Sequence, residues 1–215
     1  MMNLEQFAYT QGKQGGFQVV ASTPGFDSSL RLPVAFQLPP NAVTKEAFLV
    51  CHLPSGQWLV AKKRYLDQDA ESKNLRGGNY ICHGCLLEAN TDPRRLMGLL
   101  NYSGWQLDPS AIALPSATSI LAACEASEMP FELANPAELA ALKLILAHWM
   151  RQGSGMHKTV IFAPEEQALM LRLLLMGNQV LPLGLAPVMN FCTALHSLTA
   201  YESEWTFAAT AFAPP

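Results

Sequence analysis

The chain has 215 residues, of which 50% are hydrophobic and 14% charged, with a formal net charge of −3. That much apolar material supports a packed core and excludes an intrinsically disordered chain. The slightly acidic balance argues against a dedicated nucleic-acid binder, which would be basic.

The opening Met1-Met2-Asn3-Leu4-Glu5-Gln6 has neither a basic n-region nor an apolar h-region. The best membrane candidate, Ala168 to Met176, is short and contains Arg172. The expectation is a cytoplasmic protein with no membrane partner. The five cysteines, Cys51, Cys82, Cys85, Cys124 and Cys192, are irregularly spaced and do not form a secreted disulfide pattern. Reduced thiols are expected.

The first half reads as strands. Gln6–Tyr9 and Phe17–Ala21 flank the glycine-rich Gln11–Gly16 and predict a hairpin, closed by Ser22-Thr23-Pro24-Gly25. Leu32–Leu38 predicts a short extended segment. Ala47–Leu53 and Gln57–Lys63 flank Pro54-Ser55-Gly56 and predict a second hairpin. Asp67–Gly78 reads as an exposed polar loop, and Asn79–Leu87 as a further strand.

Helix signals then enter. Asp92-Pro93 starts a helix through about Leu100, with the aspartate as N-cap and the proline at the first helical position. Asn101–Pro115 is loop-like, and Ser116–Ala123 fits either element type. Asn135-Pro136-Ala137-Glu138 is a strong helix start. Leu139, Leu142, Leu146 and Trp149 follow at helical spacing up to Gly153. Thr159–Ala163 predicts a buried strand, and Pro164-Glu165-Glu166 opens a helix ending at Gly177-Asn178. Val180–Leu185, Val188–Thr193 and Trp205–Ala211 are short extended candidates.

This order implies an α+β fold. A β-rich N-terminal half with hairpins is followed by a mixed helix/strand C-terminal half packed on the same sheet system. One domain over residues 1–215 is expected, with a composition shift near residue 130 as a candidate subdomain boundary.

Cys82-His83-Gly84-Cys85 is the most conspicuous chemical constellation. Two thiolates at this spacing can share a zinc ion, but a single pair is half a site. Cys51-His52, Cys124, or Cys192 with His196 would have to complete it. Strand alternation sets Cys82 and Gly84 on one side and His83 and Cys85 on the other, against a shared metal. No cofactor is expected. A redox pair normally uses a helix N-terminus, whereas these cysteines fall mid-strand. A cysteine nucleophile with a histidine base is open on residue types alone. No GxSxG or HExxH motif is present.

The glycine loop around Lys13 lacks the phosphate-binding order, and Glu165 and Glu166 would repel an anion at the helix they open. Lys62-Lys63-Arg64 and Arg94-Arg95 read as solvated faces. Arg31, Arg64 and Arg76 remain of interest because arginine pairs carboxylates and phosphates across interfaces. The helix at Glu165–Met176 is apolar nearly all round and reads as core, with a partner surface as the alternative.

Three segments carry a resemblance. They are Phe7–Gly12 running into Gly16–Gly25, Arg76–Leu86 with Arg-Gly-Gly-Asn-Tyr-Ile-Cys-His-Gly-Cys-Leu, and Leu181–Leu183 through Asn190–Thr193. In this order the chain resembles the N-terminal module of bacterial GTPase-associated proteins, which are encoded beside small Ras-like GTPases in conflict or defence gene clusters. The resemblance spans nearly the whole sequence. It implies a non-catalytic adaptor that binds or regulates a small Ras-like GTPase or a larger complex. It also implies a polar interaction patch at Arg76, Asn79 and His83, to which Arg64 is added as a second candidate arginine. Members of that family usually continue for hundreds of residues, whereas this sequence stops at Pro215. The alternatives are a Cys/His hydrolase or transferase, and a zinc-stabilised binding module on Cys82 and Cys85.

Overall fold

A computed structural model describes residues 4–12, 15–30, 45–66, 79–125, 135–152, 160–162, 167–180, 191–195 and 207–210. Two local hairpins start the chain. Strands β1 (Leu4–Gln11) and β2 (Phe17–Ser22) pair antiparallel. Gly15 and Gly16 both take positive φ in the loop between them, and the amide of Gly12 donates to the Gly16 carbonyl. Strands β3 (Glu46–His52) and β4 (Trp58–Tyr65) join through Gly56 at φ 86°. Both hairpins follow from local signals, glycine-rich turns between runs of strand formers.

Strand β5 (Tyr80–Leu87) lies between the hairpins, antiparallel to β1 on one side and to β4 on the other. Strands β6 (Val160–Phe162), β7 (Phe191–Leu195) and β8 (Phe207–Thr210) extend the sheet beyond β3. Among the described residues the order is β2-β1-β5-β4-β3-β7-β8-β6. It is antiparallel as far as β7, then parallel through β8 to β6. The fold is α+β, and one sheet contains strands from both halves of the chain.

The helices are α1 (Pro93–Leu96), continued by a 3-10 turn over Met97–Asn101, then α2 (Ala117–Glu125), α3 (Pro136–Gln152) and α4 (Gln167–Val180). The expected helix from Asp92 thus tightens after one turn. Ser116–Ala123, ambiguous in sequence, begins α2: the Ser119 amide donates to Ser116 Oγ at 3.2 Å, so Ser116 is the cap. Asn135 caps α3 as expected, its Oδ1 accepting from the Glu138 amide at 3.0 Å. Helix α4 runs through Gly177-Asn178 to Val180, past the expected stop. Leu32–Leu38, Asp67–Gly78 and most of Val180–Leu185 lie outside the described residues. Among the described residues no helix is long and apolar enough to cross a membrane.

Strand alternation divides the core into two layers. On one face Phe48, Val50, Val60, Ile81, Cys85, Leu87 and Phe191 pack with helical residues, among them Leu96, Leu99, Ile120, Leu142, Ile145, Met170 and Leu173. On the opposite face Phe7, Leu49, Cys51, Leu59, Ala61, Tyr80, Cys82, Leu86 and Cys192 form the second layer, with Phe26 and Leu30 against it. Gly84 sits directly opposite Phe7 in the β1–β5 ladder. A Cβ there would meet the Phe7 ring at 2.5 Å, so this position requires glycine.

Candidate interaction surfaces and the buried polar groups

His83 is fully buried on the helix-covered face. Its Nδ1 accepts from the Gln106 backbone amide at 3.2 Å, and Nε2 lies 3.3 Å from Gln6 Oε1. The Gln106 amide can only donate, so these partners assign the proton to Nε2 of a neutral ring. Gln6 passes the connection on, its Nε2 donating to the Pro115 carbonyl at 3.0 Å. The edge of the His83 ring packs on Trp105, with centroids 5.1 Å apart at 76°. Burial lowers the His83 pKa from 6.5 to about 4. This chain of bonds fastens the 102–115 loop to strands β1 and β5. His83 is therefore withdrawn from any surface patch, because both ring nitrogens serve the interior.

The three other interaction candidates are placed differently. Arg64 is exposed near the end of β4. Its Nε donates to Glu46 Oε1 at 2.9 Å, and Lys62 Nζ meets Glu46 Oε2 at 2.9 Å. Partial burial disfavours the Glu46 carboxylate, but the hydrogen bonds and charges of Lys62 and Arg64 outweigh it and hold its pKa below the ordinary value. Asn79 precedes β5. Its carbonyl accepts from the Leu66 amide, and its Oδ1 is buried with no hydrogen-bond partner among the described residues. Arg76 lies outside the described residues, as does Arg31.

Cys82 and Cys85 occupy opposite core layers. Both are fully buried, as alternation along β5 dictates, so the pair cannot close on one zinc ion. Among the described residues no three His, Cys, Asp or Glu side chains converge as a metal site. Burial raises the thiol pKa of Cys82 and Cys85 well above the ordinary range, and that of Cys124 to about 11. All five cysteines are buried. Protonated, enclosed thiols are poor nucleophiles, which removes the physical basis for a Cys/His catalytic pair at Cys82.

Lys63 departs from the expected solvated Lys62-Lys63-Arg64 face. Lys62 and Arg64 share the Glu46 side of β4, and alternation turns Lys63 to the opposite face, where it is 2% exposed. There it stands across the ladder from Cys82, with its Nζ 5.6 Å from the Tyr80 ring centroid. Burial pushes its pKa below the lysine range. Phe17 stacks on Tyr80 with centroids 4.6 Å apart, extending this aromatic group to the sheet edge.

Among the described residues, large exposed apolar side chains lie on β2, on α3 and at the end of α4. On β2, at the sheet edge, Phe17 and Val20 are each more than a third exposed. Val20 is the extra residue of a bulge between the Ala8–Ala21 and Tyr9–Val19 pairs. On α3, Leu139, Leu144 and Met150 are 38%, 72% and 57% exposed. Of the helically spaced Leu139, Leu142 and Leu146, Leu142 is buried, Leu146 packs against the core and Leu139 is exposed, while Ile145 is also buried. Helix α4, apolar nearly all round, sends Met170, Leu173, Leu174 and Met176 into the core. Val180, at the end of α4, is exposed.

Comparison of the chain with known proteins finds no matching family model, no matching curated sequence and no matching solved structure.

Proposed function

We propose that this chain is a non-catalytic protein-interaction module of a bacterial multi-protein system. The resemblance suggests a small Ras-like GTPase as the partner class. The observation that carries the reading is the β2 edge, where Phe17 and Val20 present apolar side chains to solvent beside the Tyr80 stack. Edge strands are usually guarded by charge or proline, and Phe17-Gln18-Val19-Val20-Ala21-Ser22 has neither. The bulge at Val20 interrupts the ladder, so side-chain contact rather than a full added strand suits this edge.

The test is capture of partners from native-host lysate with the tagged chain and with Val20→Lys. A stoichiometric protein retained by the parent and lost by the variant is the expected result. Capture of nothing, or equal capture by both, overturns the reading. If the captured protein hydrolyses GTP, an arginine supplied in trans would accelerate it about 10³-fold or more. Arg64 is held by Glu46, so Arg64→Ala leaves that rate unchanged, and Arg76→Ala tests the remaining candidate.

A further inference from the structure

The segment 102–115 lies on the helix-covered face of the sheet with no strand or helix of its own. Its base is tied where the Tyr102 hydroxyl meets Ser119 Oγ at 2.8 Å. Its tip, 108–111, is exposed and turned by Asp108 Oδ1, which accepts from the Ser110 amide at 2.8 Å. Within it only Trp105 and Leu107 are buried. The Trp105 ring stands edge-on to Phe48 at 6.0 Å, and its Nε1 donates to the Leu99 carbonyl at 3.0 Å. His83 and Gln6 hold the segment to the sheet, through the Gln106 amide and the Pro115 carbonyl.

The neutral His83 ring carries its proton on Nε2 and a lone pair on Nδ1. A second proton enters only at Nδ1, where it faces the Gln106 N–H, so two donors oppose each other and the acceptor is lost. The proton therefore acts at the junction between loop and sheet. Strand β5 is laddered on both sides, to β1 and along its whole length to β4. The loop has no ladder, so it is the side that yields.

We propose that 102–115 is a proton-released strap: protonation of His83 at Nδ1 detaches Gln106 and lets Trp105 and Leu107 leave the core while the sheet stays folded. The proposal is independent of the partner reading based on β2. The charged groups around the ring are engaged with one another. Lys62, across the ladder from His83, is bonded to Glu46, which Arg64 shares. Asp108 on the strap is held below the ordinary carboxylate range by Ser110 first, with the charge of Arg64 adding to it. Cys85, on the same face of β5, is kept un-ionised by burial. Gln6 and Ala8 of β1 and Trp105 of the strap carry no charge. Burial holds the ring at a pKa of about 4, whereas a ring freed by opening returns towards 6.5. The open form therefore binds more protons, and opening grows as pH falls from 6.5 towards 4.

Hydrogen exchange of the full chain, followed by NMR at stepped pH and corrected for intrinsic exchange, tests this directly. The protection of the Gln106 amide should fall on the order of 100-fold between pH 7 and pH 4. The Trp105 indole proton should lose protection in step with it. At each pH both should be less protected than the Val60 amide of β4, and low urea should leave them unchanged while it speeds exchange at Val60, because a local opening exposes little surface. His83→Gln keeps a neutral acceptor at the position and removes the titrating ring, so its Gln106 protection should not vary with pH. If that variant does not fold, the series on the parent decides alone. Gln106 protection that is constant with pH overturns the proposal. So does exchange of Gln106 and Val60 together with the same urea dependence, which is global unfolding, or a Trp105 indole that stays protected while Gln106 exchanges.

Discussion

The two faces of the central sheet each bury a titratable side chain, and they accommodate it differently. On the helix-covered face His83 is neutral and both its ring nitrogens have partners, Gln106 and Gln6. On the opposite face Lys63 lies among an aromatic ring and thiols, where burial opposes its charge. The two positions are neighbours in the β4–β5 ladder, since His83 pairs with Lys62 and Lys63 with Cys82. The difference teaches that burial alone does not assign a role. His83 ties a loop to the sheet through both ring nitrogens, and Lys63 stands in a layer where burial works against its charge.

The largest expected effect sharpens the His83 side of this contrast. A folded pKa of about 4 against 6.5 means that between these values the unfolded chain binds a proton the folded chain refuses. Stability present above pH 6.5 is therefore lost as pH falls towards 4, by about 3 kcal/mol across the window. Denaturant titrations at stepped pH measure this loss. His83→Gln should remove that part of the acid dependence, and an unchanged profile would break the assignment.

A smaller effect belongs to the opposite face. Gly84→Ala forces a methyl group into the fully buried Phe7 ring, which is packed against Phe26 at 4.8 Å. Overpacking of this kind should cost about 2 kcal/mol, read as a lower denaturant midpoint. Pairing it with Phe7→Leu should recover part of the loss; no recovery would show that the conflict lies elsewhere.

Thr10→Val tests a bond at the end of the sheet, where Thr10 Oγ1 donates to the buried Tyr80 carbonyl at 2.8 Å. The shape is kept and the bond is removed, so about 1 kcal/mol is expected. The last prediction concerns Lys63. Its lowered folded pKa means that the unfolded chain binds more protons below the ordinary lysine range, so this group favours the fold more as pH rises. Cys82 and Tyr80, with raised values, act in the opposite sense above pH 9. The difference between the parent and Lys63→Met across alkaline pH isolates the lysine. Parallel curves would show that Lys63 keeps its proton equally in both states.

Much of this architecture is legible in local sequence. Gly56 and the Gly12-to-Gly16 loop mark hairpin turns because they supply conformations other residues resist. Asn135-Pro136 marks the start of α3 because an amide side chain and a proline fit the first turn. The period of two along β5 separates Cys82 from Cys85 whatever packs around them. The same period applies to Lys62-Lys63-Arg64, but a run of three cations does not reveal that one of its faces is interior.

Those local signals determined the α+β class, both hairpins and the alternation that sets Cys82 and Cys85 on opposite faces of β5. Only the tertiary structure decided that β5 inserts between the hairpins, that His83 is locked by Gln6 and Gln106, and that α3 turns Leu139 and Leu144 outward. Turns, caps and side-chain alternation act over a few residues and are written in them. Burial depends on which distant strand or helix arrives on each face, and that follows from long-range packing of the whole chain.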